Sequence, residues 1–249
     1  MKQKIGRKLL SFLLTLAMVI GLMPGMGLTA YAAEATTLTA ETITWENSDY
    51  VVPADGVTIT GHITVSGTVN LTLTDGATLT ASNGITLSEG AKLNVSGEGA
   101  MTVNGSNEDA SSTVAGSGML ILKSGTLKVT GGNGQSRSLS GITQDNWRGA
   151  AGGQAINGAV AIASGTLTAV GGNGGSISDL NQLMNIYGGT GGAAISGTVT
   201  ITDGTLTAVG GNGGDLSGSY FYQDGGGAGG VAVNGAVTVL GGKLTATGG

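Results

Sequence analysis

The amino-acid sequence predicts an all-β fold, namely a right-handed parallel β-helix with three sides, and two observations carry that prediction. The segment Ser164–Gly175 recurs almost letter for letter at Asp203–Gly214. In the N-terminal half, alternating apolar pairs return every 22 residues, from Val57 to Leu79 and from there to Met101. A fixed period is the mark of stacked supersecondary units. Three short apolar runs per period fit a coil with one strand on each side.

The C-terminal half has a longer period, which we attribute to inserts. The aligned leucines Leu127, Leu167, Leu206 and Leu244 are 40, 39 and then 38 residues apart. One 22-residue coil plus an insert of about 17 residues accounts for that spacing, and long loops are tolerated because closure entropy grows slowly with length. The inserts are predicted at 131–153, 171–192 and 210–230. About six coils are expected, and an antiparallel sandwich or a repeat of small β domains is the alternative.

The glycine runs mark the start of each predicted insert. Gly171–Gly175 and Gly210–Gly214 share the pattern Gly-Gly-Asn-Gly-Gly. We expect this pattern to form a hinge where the insert leaves the coil. The run Gly210–Asp215 also matches the start of a calcium-binding β-roll nonapeptide. The other copies carry serine in place of Asp215, so no metal site is predicted.

Residues 1–32 are predicted to be a secretory signal peptide. A positively charged start precedes an apolar run from Leu9 to Leu22, and Ala30-Tyr31-Ala32 is a small-x-small cleavage site. A retained membrane anchor is the alternative, but the run is shorter than the ~20 residues that a spanning helix needs. No later segment is apolar enough to cross a bilayer. The protein is therefore expected to be secreted, and it is expected to remain outside the cell or at the cell wall.

Charge and cysteine content exclude several classes of function. The whole chain has a net charge of −5, and the part after residue 32 keeps six Lys/Arg against fifteen Asp/Glu, or −9. Such a balance argues against nucleic-acid binding, which requires a basic surface. There is no cysteine, so disulfides and thiolate chemistry are excluded. No cofactor is predicted.

The mature chain divides into a cap and a solenoid. Residues 33–56 lack the repeating apolar pairs of the later sequence. They are predicted to form an N-terminal cap or linker, because a solenoid must cover its first coil. Residues 57–249 are predicted to form the solenoid. The sequence ends in mid-repeat at Thr247–Gly249. We therefore expect that the natural protein continues, or that copies associate end to end through this coil.

The N-terminal coils resemble a known group of surface proteins. The segments Ile63–Ala81 (ITVSGTVNLTLTDGATLTA) and Gly84–Val95 (GITLSEGAKLNV) resemble the Gly/Thr-rich, adhesin-like β-helical repeat proteins of Gram-positive bacteria, often described as carbohydrate-binding. The resemblance spans roughly residues 57–249, and it lies in the Gly/Thr-rich composition and in the repeats. It implies a secreted or wall-associated module and transfers no site residues.

The inserts carry the residues with binding chemistry. Five of the seven aromatic residues that follow the predicted signal peptide lie in the inserts, beside amides and carboxylates. Inserts that leave the same corner of successive coils are expected to lie side by side. Aromatic faces and polar groups together suit a sugar, so we predict glycan or cell-wall polysaccharide binding. The candidate ligand-binding residues are Asp145, Trp147, Arg148, Asn185, Tyr187, Tyr220, Phe221, Tyr222 and Asp224.

Two alternatives compete with glycan binding. The aromatic side chains are equally able to fold back and cover the adjacent sheet. A polysaccharide lyase or hydrolase is the other alternative, but glycosidases need two carboxyls about 5–9.5 Å apart, and no carboxylates share a position in adjacent inserts. The single histidine, His62, has no second histidine or cysteine with which to build a metal site. The protein is therefore predicted to be no enzyme.

Overall fold

The computed structural model describes residues 34–107, 111–138, 147–180, 186–218 and 225–249. Throughout these ranges the regular elements are β-strands. No helix in the described part of the chain is long and apolar enough to span a membrane.

Three parallel sheets, here called faces 1, 2 and 3, form the sides of the solenoid. Face 1 consists of β2 Thr44–Glu46, β5 Ile63–Ser66, β8 Ile85–Leu87, β11 Val114–Gly116, β15 Ile156–Asn157, β19 Ile195–Ser196 and β23 Val233–Asn234. Face 2 consists of β1 Thr36–Thr37, β3 Asp49–Val52, β6 Thr68–Leu73, β9 Lys92–Gly97, β12 Met119–Leu122, β16 Ala159–Ile162, β20 Val199–Ile201 and β24 Val237–Val239. Face 3 consists of β4 Val57–Ile59, β7 Thr78–Ala81, β10 Ala100–Asn104, β13 Thr126–Thr130, β17 Thr166–Val170, β21 Thr205–Val209 and β25 Lys243–Thr247.

The chain runs from face 1 to face 2 to face 3 and then enters the next coil. Seven such coils lie within the described residues, the first being β2–β3–β4 and the last β23–β24–β25. The strand pairings between described residues are parallel throughout, which excludes the antiparallel sandwich. The predicted right-handed parallel β-helix is confirmed, with more coils than the six expected.

The repeat copies stack on one another in register. Thr166 pairs with Thr205, and Leu167 with Leu206. Side chains alternate between the two surfaces of a strand, so in-register stacking aligns all leucines of the repeat on the inside. Leu127, Leu167 and Leu206 are each at most 1% exposed. The repeated sequence is therefore the core-facing side of a coil.

The N-terminal end of the solenoid is covered. Trp45, in β2, is fully buried, and its indole Nε1 donates to the carbonyl oxygen of Thr42 at 2.9 Å. Leu38 is 1% exposed and belongs to the main apolar core. Strands β2 and β3 form two sides of the first coil and β4 forms the third, so this coil begins within the segment 33–56, and the covering residues come before it.

The C-terminal coil is open. Val237 and Val239 are 39% and 47% exposed, whereas their partners one coil earlier, Val199 and Ile201, are at most 1% exposed. Leu240 is 72% exposed. The last described coil therefore presents core-type side chains to solvent.

Candidate functional site

The three long inserts leave the solenoid at one corner, between face 3 and the face 1 strand of the next coil. Their outer parts form a separate parallel sheet, here called the insert sheet, from β14 Arg137–Ser138, β18 Ile177–Leu180 and β22 Leu216–Gly218. Arg137 pairs with Ile177, and Ile177 pairs with Leu216. The expectation that the inserts lie side by side is confirmed.

A glycine stem joins the solenoid to the insert sheet. It has two layers of backbone, one of outgoing and one of returning segments. The outgoing segments are 131–134, 171–174 and 210–213, and the returning segments are 150–153, 189–192 and 227–230. Hydrogen bonds pass from layer to layer: Gly172 N donates to Gly153 O at 2.8 Å, Gly192 N to Gly172 O at 2.8 Å, and Gly211 N to Gly192 O at 2.9 Å. The stem is thus held by backbone hydrogen bonds across its whole thickness.

Close approach explains why the stem is made of glycine. A Cβ atom at Gly152 would lie 2.0 Å from the carbonyl oxygen of Gly172, and one at Gly171 would lie 2.0 Å from that of Gly192. Backbone atoms cannot yield as a flexible side chain can, so a larger residue forces the layers apart. The insert leaves the coil at Gly-Gly-Asn-Gly-Gly, as predicted, and the glycines there pack as two hydrogen-bonded layers.

The asparagine within each glycine run also has a structural role. Asn173 N donates to Asn133 Oδ1, and Asn212 N donates to Asn173 Oδ1, both at 2.9 Å. Each side chain thereby accepts a backbone N–H of the following coil. A similar column joins Ser176 and Asp215, since Asp215 N donates to Ser176 Oγ at 3.0 Å. Within the described ranges, no three His, Cys, Asp or Glu residues lie close enough to hold a metal.

A second apolar cluster lies inside the insert layer, apart from the solenoid core. Ile177 and Ile186 are fully buried there, and Trp147 and Leu216 pack against them half-buried. Trp147 is therefore partly a packing residue, in line with the alternative in which loop aromatics cover neighbouring apolar groups. This cluster fixes the outer part of the inserts in place.

The outer side of the returning segments carries an exposed column of Arg148, Tyr187 and Gly225, which are linked by parallel bridges. The Arg148 guanidinium lies 5.5 Å from the centroid of the Tyr187 ring, and Tyr187 is 36% exposed. The Arg137 guanidinium similarly lies 5.8 Å from the Trp147 ring centroid. We call Arg148 and Tyr187 the insert surface, and Arg137 and Trp147 form a second pair at the apolar cluster of Ile177 and Ile186.

Of the nine predicted ligand-binding residues, the structure brings Arg148 and Tyr187 into contact with each other, and it packs Trp147 against the second apolar cluster. The other six lie outside the residues whose placement is described: Asp145, Asn185, Tyr220, Phe221, Tyr222 and Asp224. Arg137 was not predicted. Its signal is a fixed offset, because Arg137, Ile177 and Leu216 each follow the repeat leucine by ten residues.

The single histidine is engaged in local hydrogen bonds. His62 Nδ1 is 2.7 Å from the carbonyl oxygen of Asn83, and Nε2 is 2.8 Å from Thr86 Oγ1. Because a carbonyl only accepts, Nδ1 is the donor and the Thr86 hydroxyl is free to donate to Nε2. Neither partner is a carboxylate, so these contacts tie His62 to the next coil and do not form a nucleophilic triad.

Comparison with family models, with curated proteins and with solved structures finds no match to this chain.

Proposed function

We propose that the protein is a secreted or cell-surface display module that binds glycan through its insert surface. The observation that carries the proposal is the stacking of the three inserts into one sheet with its own apolar cluster. Stacking places aromatic and guanidinium groups from two different inserts next to each other. A fixed arrangement of this kind lowers the ordering cost of binding.

The chemistry of the insert surface suits a sugar. An aromatic ring offers an apolar face to the C–H side of a pyranose, and Tyr187 is exposed on the returning segment. Guanidinium N–H groups donate to hydroxyl or acidic oxygens. The two-layer glycine stem holds these groups away from the body of the solenoid, where a polymer has room to approach.

The rival function is a polysaccharide-acting enzyme. Of the insert carboxylates, Asp215 is the one whose side chain is described, and the stacked positions before it in its column are Ser136 and Ser176. Among the described residues of that column, Asp215 therefore has no second carboxylate at the separation that a glycosidase needs.

Glycan-array binding of the wild-type chain and of Tyr187→Ala tests the proposal. Loss of the ring is expected to weaken binding by about tenfold, which corresponds to ~1.4 kcal/mol. Tyr187→Phe keeps the ring and should retain most of the affinity. Thr168→Ala, on face 3, is the control and should bind like the wild type.

Two results would contradict the proposal. Glycan binding that persists unchanged in Tyr187→Ala would remove the insert surface as the contact. Release of shorter saccharides from any bound polymer would replace a binding module with an enzyme.

A further inference from the structure

The chain has two arginines after residue 32, and both lie in the first insert. They are Arg137 and Arg148. Each guanidinium lies against an aromatic ring, that of Arg137 against Trp147 and that of Arg148 against Tyr187. The other cationic side chains of residues 33–249 are four lysines, and the same residues include fifteen carboxylates. A general electrostatic attraction to anions is therefore excluded, and any anion binding here has to be local.

The ring contacts leave the hydrogen-bonding groups of both arginines available. A guanidinium carries five N–H donors, and a contact with an aromatic ring supplies none of them with a carbonyl or carboxylate acceptor. Among the described residues, the contacts of these two guanidinium groups are the ring contacts, and no described carboxylate forms an ion pair with either. Stacking also reduces the conformational freedom of the long side chain, which a ligand would otherwise have to restrict.

Among the described residues, the neighbour of Tyr187 on the side away from Arg148 is a glycine. In the exposed column, Arg148 lies one rung before Tyr187, and Gly225 lies one rung after it. Glycine has no side chain to cover the ring, and a Cβ atom built at Gly225 would lie 3.8 Å from Cδ1 of Tyr187. Within the described residues, position 225 therefore leaves this side of Tyr187 uncovered, and the Arg148 guanidinium lies on the other side of the ring.

We infer that the insert surface selects an acidic glycan, one whose sugars carry carboxylate or sulfate groups. The planar fork of arginine matches the two oxygens of such groups in a bidentate arrangement. In this arrangement Tyr187 receives one sugar ring of the polymer, Arg148 binds the acidic group of a neighbouring sugar, and Arg137 beside Trp147 offers a further anion contact. The inference rests on the proposed glycan-binding function and names the class of ligand.

The test uses pairs of polymers that differ in charge alone. Polygalacturonate is compared with its fully methyl-esterified form, and chondroitin sulfate with its desulfated, esterified form, by titration calorimetry of the full chain. At least one acidic polymer is expected to bind tenfold or more tightly than its neutral partner. Added salt is expected to weaken that binding, because exposed charges are screened within about 10 Å at 0.1 M salt.

Three variants locate the effect. Arg148→Gln is expected to lower affinity for the acidic polymer by tenfold or more, to the level of the neutral one. Arg148→Lys keeps the charge and loses the planar fork, so its affinity for the acidic polymer should lie between that of the wild type and that of Arg148→Gln. Lys128→Gln removes the same charge from exposed face 3, and its affinity should equal that of the wild type.

A glycine variant tests the open ring face without removing any charge. Gly225→Ala meets the Tyr187 side chain at ordinary contact distance, so the fold is expected to be retained while access to the ring narrows. Its affinity for the acidic polymer should fall at least threefold.

The outcomes separate the two proposals. Equal binding of both members of each pair, or full binding by Arg148→Gln, overturns the acidic class and leaves glycan binding standing. Absence of binding to every polymer, and to a broad glycan array, overturns the proposed function itself.

Discussion

The backbone N–H of Gly172 donates to the carbonyl oxygen of Gly153 at 2.8 Å, and no side chain separates the two segments that these glycines belong to. One segment leaves the solenoid and the other returns to it. The outer part of each insert is thereby attached through a sheet of backbone hydrogen bonds. The position of the insert surface depends on glycine at each of these contacts.

Gly227, in the stem, and Gly226, just before it, give a matched test of this dependence. A Cβ atom at Gly227 would lie 1.8 Å from the carbonyl oxygen of Gly189, whereas one at Gly226 would meet its nearest atom, the carbonyl oxygen of Gly214, at 3.6 Å. Gly227→Ala is expected to destabilise the protein by about 1–3 kcal/mol or more, as overpacking does. Thermal unfolding followed by circular dichroism measures the difference.

Gly226→Ala is the control for that measurement. It introduces the same methyl group one residue away and is expected to be neutral, or to stabilise by up to ~1 kcal/mol through the unfolded state. Equal melting temperatures for the two variants would show that the stem layers are not packed as described.

The insert cluster is expected to loosen independently of the solenoid. Ile177 is fully buried among insert residues, whereas Ile195 is fully buried in the main core. Ile177→Ala should increase amide hydrogen exchange in the insert sheet and leave β17 and β21 protected, because local openings follow cooperative units. Ile195→Ala should lower the stability of the solenoid by ~2–5 kcal/mol.

Hydrogen exchange with peptide-level readout distinguishes these outcomes. If Ile177→Ala exposes the face 3 strands as much as Ile195→Ala does, the insert layer and the solenoid form one cooperative unit. The separation of the two apolar clusters would then have no energetic meaning.

The equivalent leucines of two successive coils are expected to contribute unequally to the free energy of unfolding. Leu206 is fully buried, while Leu244, its partner in the last coil, is only half-buried. Leu206→Ala should cost ~2–5 kcal/mol, and Leu244→Ala should cost much less because its side chain already contacts solvent. Chemical denaturation of both variants checks this, and equal costs would mean that the last coil is covered in solution.

The solenoid could be predicted from sequence because its signals are local and repeat at fixed offsets. Leu167 and Leu206 occupy equal positions in near-identical segments, so the in-register pairing follows directly. The fixed ten-residue offset from the repeat leucine likewise aligns Arg137 with Ile177. Sheet register is set by such patterns whenever one face is buried.

The returning half of each insert could not be aligned in this way. Arg148, Tyr187 and Gly225 share a column, yet they follow their repeat leucines by 21, 20 and 19 residues. Inserts of unequal length shift the offset, so sequence alone does not show that these residues meet. The layered glycines were also missed, because close backbone approach depends on segments that are distant in the chain.

A polypeptide that ends at residue 249 exposes the last coil, and such a polypeptide is expected to self-associate through it. Val239 and Leu240 are 47% and 72% exposed, and they lie beside the strand edges of β23, β24 and β25, which have no further partner among the described residues. Exposed edges next to an apolar surface favour pairing with another copy. Association through the N-terminal end is disfavoured because Leu38 and Trp45 are buried there.

Two lysine substitutions in one strand test this association. Val239→Lys places a charge on the open apolar side and is expected to shift the chain to monomer. Thr238→Lys adds the same charge on the outward side of β24 and is expected to leave association unchanged, since side chains alternate along a strand. Sedimentation velocity over a hundredfold range of concentration measures both. A wild-type chain that stays monomeric throughout, or equal effects of the two lysines, would show that this end is not an association surface.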